Sequence, residues 1–431
     1  MESIKECEEY LLNIPKFKKK TLLSDTLKFY EILGAPAKDI PKIHVAGTNG
    51  KGSTCFYISR ILEAHGKRTG LFTSPHLVSV KERFVFSGEM ITDEEFILVF
   101  NKVRATCELF DDEEKITMHP SFFEFLFLMF MEWMSIKKAD VIVLETGLGG
   151  MLDATNIFSS PSVCVICSIG KDHIEQLGNT IEEIAVQKAG IIKKNVPLVF
   201  WDNGAAVNEI IEKTAAEKNC ETFLLCEKNI KNVKYDKKHI AFSLNINYDN
   251  IDFVRDLSVW LPTGAVYQRI NSSLALVAAK VFLKDEYDDN TATEALVQGN
   301  FKGRFDEIAP GFFVDGAHNE NSIPKFLESV SVRTGKKVLI FGACADKNYE
   351  KMLEMITGSN LFETIILTKI DSSRAVEPKV MAECLKEDGF LLSDSLPDAV
   401  RKAEGFGCDT YIVGSLYLAG EAIAYFTTEK N

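Results

Sequence analysis

A chain of 431 residues carries a prior of roughly two to three domains at about 150 residues each. Hydrophobic residues make up 46% and charged residues 26%, a balance that argues against a disordered, collagenous or coiled-coil chain. A net charge of −13 excludes a broad nucleic-acid or anionic-membrane surface, which needs clustered Lys and Arg, but leaves room for a local basic pocket holding one small anion.

In chain order, Met1-Glu2-Ser3-Ile4-Lys5-Glu6 lacks the basic-then-apolar pattern of a signal segment, so a cytoplasmic location is expected. Lys42 to Ala46 predicts a strand, Gly52 to His65 a helix and Thr69 to Thr73 a strand. The apolar run Phe122 to Met134 is broken by Glu124 and Glu132. It falls short of the ~18 apolar residues of a membrane span and predicts a buried helix. Asp140 to Glu145, Ser162 to Ser168 and Pro197 to Phe200 predict further strands. This alternation argues for α/β architecture, a mostly parallel sheet with helices on both faces. Glu221 to Leu261 carries short alternating runs such as His239-Ile240-Ala241-Phe242-Ser243-Leu244 and predicts a small antiparallel sheet inserted in the first domain. Asn271 to Leu283 returns to helix. Acidic Asp285 to Asn290 and the turn signal Gly299-Asn300 mark a boundary, giving domains 1–295 and 296–431. The second is a smaller Rossmann-like α/β domain with strands at Phe312 to Val314, Lys337 to Phe341, Thr364 to Thr368 and Thr410 to Val413.

The ten cysteines have no framework spacing and read as reduced thiols. Cys164-Val165-Ile166-Cys167 has the C-x-x-C form of a redox or metal pair. Its flanking Val and Ile place it on a strand, where residues three apart face opposite ways, so both read as buried strand cysteines.

The strongest local signal is Ile43-His44-Val45-Ala46-Gly47-Thr48-Asn49-Gly50-Lys51-Gly52-Ser53-Thr54. A strand runs into a Gly-rich turn, then a Lys, then hydroxyls opening a helix. Glycines let backbone N–H groups close on phosphate oxygens, and the helix N-terminus adds positive potential. Lys51 supplies charge to the outer phosphates, and a hydroxyl such as Ser53 can reach Mg²⁺. The pattern G-x-x-x-x-G-K-[ST] is not met, because Gly50 follows Gly47 too soon and Gly52 intervenes before Ser53. Glu145 ends a strand just before Thr-Gly-Leu-Gly-Gly, where open α/β sheets bind ligands, and offers Mg²⁺ a hard oxygen.

A Gly-Thr-Asn-Gly-Lys-Gly-Ser loop resembles the Mur ligase superfamily and, within it, the folylpolyglutamate synthase and dihydrofolate synthase family. Other segments match in the family's order: Thr73-Ser74-Pro75-His76-Leu77, Glu145-Thr146-Gly147-Leu148-Gly149-Gly150, Leu152-Asp153-Ala154-Thr155-Asn156, Asp172-His173, Lys188-Ala189-Gly190-Ile191, Gly303-Arg304-Phe305, Asp315-Gly316-Ala317-His318-Asn319 and Val413-Gly414-Ser415-Leu416-Tyr417. The resemblance implies an ATP-dependent ligase that joins L-glutamate to a folate through an acyl phosphate. The acid acceptor is tetrahydrofolate, dihydropteroate or both, and two domains close on the reactants.

The resemblance also distributes roles. Gly47, Thr48, Asn49, Gly50, Lys51, Gly52 and Ser53 hold ATP, with Asn271 on the adenine side, Arg304 on phosphates and Asp315 on the ribose. Ser53, Ser74, Glu145 and His173 hold two Mg²⁺ ions around the phosphates. Lys188 is carbamylated and catalytic beside Lys51 and His318, while His318 and Ser415 hold the incoming glutamate. Read from the residues alone, Lys188 is a cation at a helix C-terminus, and Ser415 is a helix N-cap. Ser74, His76, Arg83 and Phe123 are the candidates for a pterin pocket. Partners are small molecules only, with no nucleic acid or membrane, and the family expectation is a monomer. The sequence departs from the family at Met151, where Arg is frequent, at Tyr267-Gln268 for His-Gln, and at Phe301-Lys302-Gly303-Arg304 for Trp-Pro-Gly-Arg. These bear on substrate choice. Two other readings stay open: a Mur-type ligase acting on a different acid such as a cell-wall precursor, and a non-catalytic nucleotide-gated binding protein.

Overall fold

The computed structural model describes residues 1–14, 23–111, 119–236, 238–248, 256–298, 302–385 and 390–428. The turn signal Gly299-Asn300 and Phe301 lie outside them. Two compact units emerge: Met1–Asn229 with Ile246–Arg255 and Ile270–Leu296, and Ile230–Asn245 with Asp256–Arg269 and Val297–Asn431.

The first unit is built on an eight-stranded sheet ordered β4-β3-β2-β5-β1-β6-β7-β8. Its strands are β1 (Lys42–Ala46), β2 (Thr69–Phe72), β3 (Phe84–Phe86), β4 (Glu89–Met90), β5 (Val141–Glu145), β6 (Val163–Ile166), β7 (Leu198–Trp201) and β8 (Thr222–Leu225). From β2 to β8 every pairing is parallel. β3 and β4 add an antiparallel edge. The central strands β1, β5 and β6 are buried along their whole length, as continuous β-branched runs covered on both faces must be. One face is closed by the helix Phe122–Lys137, whose rings pack with Phe72, Phe84, Ile142 and Leu144. Ser121 and Glu124 form a capping box at its start, which satisfies N–H groups that the first turn leaves unpaired.

The second unit holds a six-stranded sheet ordered β12-β13-β17-β14-β15-β16 and a three-stranded sheet ordered β11-β10-β9. The strands are β9 (Ile230–Tyr235), β10 (Ile240–Leu244), β11 (Leu257–Leu261), β12 (Arg304–Ala309), β13 (Phe312–Asp315), β14 (Lys337–Phe341), β15 (Thr364–Thr368), β16 (Phe390–Ser393) and β17 (Asp409–Val413). The core around Phe313, Phe326, Leu339 and Tyr411 belongs to this unit alone.

Two expectations need correction. The stretch from Glu221 is not antiparallel throughout, since β8 extends the parallel sheet beside β7. The small antiparallel sheet groups with the second unit, not the first. Physical ties explain this: Lys238 pairs with Glu307 at 3.1 Å, and beyond β11 the Val266 N–H donates to Ser329 Oγ at 2.9 Å. The cysteines behave as read. Cys164 and Cys167 are buried free thiols, the first donating to the Ile191 carbonyl and the second to Thr54 Oγ1.

Candidate active site

Parallel pairing brings the C-terminal ends of β2, β5, β1 and β6 to one edge of the first sheet, and the loop Gly47–Gly50 leaves β1 there. Thr48 and Asn49 donate their N–H groups to the Ser168 carbonyl at 2.8 and 3.2 Å. Thr48 Oγ1 also donates to the Gly170 carbonyl at 2.9 Å. The loop is thus pinned to the chain leaving β6. Gly50 caps the helix Lys51–Ala64 with φ of 87°, the left-handed region that favours glycine. A Cβ there would lie 2.3 Å from Asn271 Oδ1, so Asn271 packs directly on the loop. Ser53, in the first turn, is buried.

Three ionisable side chains converge on this loop. Glu145 is 3% exposed, and one of its oxygens accepts the Ser74 N–H at 2.8 Å. Its other oxygen lies 4.0 Å from Lys51 Nζ. Lys51 Nζ also donates to the Thr48 carbonyl at 3.2 Å. Lys188 is 3% exposed and donates to the Gly47 carbonyl at 2.7 Å. Burial, and secondly the charge of Lys51, lower the Lys188 pKa to about 7. Lys188 lies in the last turn of the helix Ile181–Ala189, but it is not the solvated helix-end cation that the residues alone suggest. It is a buried amine held against the Gly47–Gly50 loop, and burial lowers its pKa.

His173 differs from these groups. It is exposed, with φ of 51° at the start of the short helix Ile174–Leu177, and its Nε2 lies 3.9 Å from Asp172. Among the described residues no cluster of three or more His, Cys, Asp or Glu forms a metal cage. The donors gathered at the loop are a buried carboxylate and serine hydroxyls. Such hard oxygens suit Mg²⁺ that keeps water and phosphate in its remaining positions, so the residues fit the ion.

Of the pterin-pocket candidates, the structure pairs His76 with Arg83 and sets Phe123 over Gly147. Arg83, 6% exposed, donates through Nε to His76 Nδ1 at 2.9 Å, and its guanidinium stands 5.5 Å from the Phe122 ring centre. The Phe123 ring covers Gly147, where a Cβ would lie 2.6 Å from ring carbon Cζ. The neighbouring Phe72 ring is 5.6 Å away, centre to centre.

In the second unit, Arg304 and Asp315 are antiparallel partners on β12 and β13, and the Arg304 guanidinium lies against Gly316. Asp315 is 3% exposed. It accepts the Tyr267 hydroxyl at 2.6 Å and the Ala317 N–H at 2.8 Å, while burial raises its pKa. His318 Nδ1 bonds the Gly316 carbonyl at 2.7 Å. The Gly414 N–H donates to the Ala317 carbonyl at 3.0 Å, which joins the His318 and Ser415 turns at the ends of β13 and β17. Ser415 Oγ accepts the Tyr417 N–H at 3.1 Å, the local bond of an N-cap. Sequence reading passed over two groups here. Tyr267, noted only as a departure, supplies the hydroxyl that holds Asp315. Arg374, in no motif, is held by Tyr417 Oη at 2.7 Å and Asp346 at 3.1 Å. Only three-dimensional proximity to Tyr417, two residues beyond Ser415, singles it out.

Comparison with known proteins places these features in context. Residues 110–278 match the Mur ligase middle domain, and residues 303–407 match the Mur ligase, glutamate ligase domain. The chain is 32% identical over 405 residues to a dihydrofolate synthase/folylpolyglutamate synthase of Bacillus subtilis, covering 90% of this chain and 91% of that protein. It is 30% identical over 427 residues to a folylpolyglutamate synthase of Lacticaseibacillus casei, covering 96% of each. Among solved structures, a folylpolyglutamate synthase complex with AMPPCP and folate superposes with a TM-score of 0.84 at 27% identity, over 97% of this chain and 98% of that one.

Proposed function

This chain belongs to the folylpolyglutamate synthase/dihydrofolate synthase family of Mur ligases, and from that premise we propose that it uses ATP to join L-glutamate to a folate acid. The observation that carries the reading is the convergence of Lys51, Glu145 and Lys188 on the Gly47–Gly50 loop. That arrangement is built to hold phosphates and a charge-neutralising ion.

The chemistry follows from the substrates. A carboxylate resists attack by an amine because it is anionic and lacks a leaving group. Its oxygen takes the γ-phosphoryl group of ATP, ADP departs, and an acyl phosphate forms. The amine of L-glutamate then adds to the acyl carbon, and the tetrahedral species expels phosphate as the nitrogen gives up its proton. Lys51 offsets charge on the transferring phosphoryl group, and backbone N–H groups of the loop orient it. Mg²⁺, when bound, neutralises phosphate charge, and Glu145, Ser53 and Ser74 are the residues to hold it, with His173 completing the family's set. The lowered pKa of Lys188 supports carbamylation, since only the neutral amine adds CO₂. His76, Arg83 and Phe123 form the proposed folate wall. Arg304 and Asp315 are the proposed nucleotide contacts of the second unit, with Asn271 beside the loop of the first. His318 and Ser415 hold the amino acid, and Arg374 offers a guanidinium for one of its carboxylates. The partners are small molecules, and the proposed state is a cytoplasmic monomer. The net charge of −13 supports leaving nucleic acid out.

The deciding experiment measures phosphate release from ATP and Mg²⁺ with L-glutamate plus dihydropteroate, tetrahydrofolate or a cell-wall precursor. Release with either pteridine acid and formation of its glutamyl product are expected. Release only with the cell-wall acid, or nucleotide binding with no turnover on any acid, would overturn the proposal.

A further inference from the structure

Beyond the last rung of the β6–β7 ladder, a side chain takes over from the backbone. Parallel pairing of these strands ends at Ile166 and Phe200, and the chain after β7 turns at Gly204 into the helix Ala205–Glu217. Asn203, half-buried in that turn, reaches back to the segment leaving β6. Its Oδ1 accepts the Ile169 N–H at 2.7 Å, and its Nδ2 donates to the Trp201 and Cys167 carbonyls at 2.7 and 3.4 Å. One N–H and two carbonyls allow a single orientation of the amide, with oxygen toward Ile169 and nitrogen toward the carbonyls. The amide thereby stands in for a peptide group and extends the ladder by one step.

Asn203 is itself held. Its N–H donates to Asn208 Oδ1 at 3.0 Å, Asn208 Nδ2 donates to Asp202 Oδ1 at 2.7 Å, and the Gly204 N–H donates to the same oxygen at 3.0 Å. The Gly47–Gly50 loop grips the other side of residues 168–170. Thr48 and Asn49 give their N–H groups to the Ser168 carbonyl. Thr48 Oγ1 donates to the Gly170 carbonyl at 2.9 Å and accepts the Gly170 N–H at 3.0 Å. Successive residues thus turn their backbone groups to opposite sides, as in a strand. Ser168 and Gly170 face the loop, and Ile169, between them, faces Asn203.

We propose that Asn203 is a positioning residue for the nucleotide side of the ligase reaction: through residues 168–170 it sets the Gly47–Gly50 backbone that cradles the phosphates of ATP. This rests on the ligase reading. Backbone N–H groups stabilise phosphate charge only when they are fixed in advance, and this loop is fixed to a segment that Asn203 fixes in turn. Without the amide, water takes the Ile169 N–H, and residues 168–170 are free to shift together with the loop. The groups proposed for the two acids hang from other elements, Phe123 from the helix Phe122–Lys137 and Ser415 from the turn after β17. Loss of Asn203 should therefore weaken use of ATP more than use of glutamate or the folate acid.

The test titrates the full chain with AMPPCP in a calorimeter, beside KM values for ATP, L-glutamate and the folate acid and thermal unfolding, for Asn203→Leu, Asn203→Asp and Thr48→Val. Asn203→Leu keeps the size and deletes all three side-chain bonds. It should raise Kd for the nucleotide on the order of 10-fold, the loss of one well-made hydrogen bond, with KM for ATP following and the other two KM values near wild type. Asn203→Asp keeps an acceptor for Ile169 and should bind nucleotide more tightly than Asn203→Leu. Combined with Thr48→Val, Asn203→Leu should cost less than the product of the two single losses, because both cut the same line of bonds. If Asn203→Leu does not fold, Asn203→Asp alone and with Thr48→Val decides the matter by the same two criteria, selective loss toward ATP and losses that do not multiply. Equal loss toward all three substrates in step with a lower unfolding temperature would overturn the inference, as would losses that multiply in full or no loss at all. A wild-type chain that binds no nucleotide would overturn the ligase reading and this inference together. Normal wild-type turnover with indifferent variants would remove only the latter.

Discussion

A lysine amine buried against a backbone carbonyl beside a second lysine is an unusual thing for a helix end to carry, and it makes Lys188 sensitive to pH. Its folded pKa, about 7, lies below the ordinary lysine value near 10.4. Between those limits the unfolded chain binds more protons than the folded one, so stability rises with pH across that window. Below the folded pKa both states are protonated, and the full cost of the buried charge is present. In CO₂-free buffer, Lys188→Met should flatten this dependence when denaturant midpoints are compared at pH 7 and pH 10, and an unchanged slope would assign the dependence to another group. The carbamate role makes a separate demand. Lys188→Arg keeps positive charge but cannot lose a proton, so turnover should fall by ~100-fold or more, as for removal of an electrostatic catalytic group. Wild-type turnover in that variant would exclude the carbamate and leave the rest of the site intact. Arg374 has a narrower expected effect. Removing it as Arg374→Ala should raise KM for glutamate with little change in KM for ATP, because its guanidinium is held by the hydroxyl of Tyr417, two residues beyond Ser415, the proposed glutamate contact.

Between residue and fold, the Gly47–Gly50 loop, the proposed phosphate site, shows how one glycine serves both a turn and a close packing contact. Gly50→Ala meets two obstacles: φ of 87° and a Cβ position 2.3 Å from Asn271 Oδ1. The left-handed conformation alone costs about 1–2 kcal/mol, and the clash moves Asn271 or the loop. ATP affinity should therefore fall while far-UV circular dichroism stays near wild type, and titration with nucleotide checks this. Much of this element was legible in sequence, because a strand, glycines, a Lys and hydroxyls occur in an order that phosphate binding demands. The central strands were legible too, since Lys337–Phe341 and Val141–Glu145 are unbroken apolar runs except at their ends. β12 was not: Asp306 and Glu307 interrupt it, and it takes strand form by pairing with β13. The β3–β4 edge was missed for its brevity. Within the site, Tyr267 and Arg374 depend on distant partners that spacing does not encode. His44 reads in sequence only as part of a strand, because its hydrogen-bond partner, Thr155, lies far along the chain.

At the scale of the whole molecule, the decisive question is which unit the three-stranded sheet follows. Sequence order places β9–β11 directly after the first sheet, and that proximity made them look like an insert in it. The structure groups them with the second unit, through the Lys238–Glu307 pair and the Val266–Ser329 bond, and Ala265 just beyond β11 packs in the second unit's core. A cavity made in that core should therefore loosen β9–β11 as well as β12–β17. Leu339 is fully buried on β14 in that core, and Leu339→Ala should destabilise by about 2–5 kcal/mol. In native-state hydrogen exchange, the slow amides of β10, β14 and β17 should lose protection together. Those of β1, β5 and β6, whose core belongs to the first unit, should keep theirs. If β10 instead kept its protection with β1 while β14 lost it, the sheet would belong energetically to the first unit, and the grouping by structure would not describe how the protein unfolds.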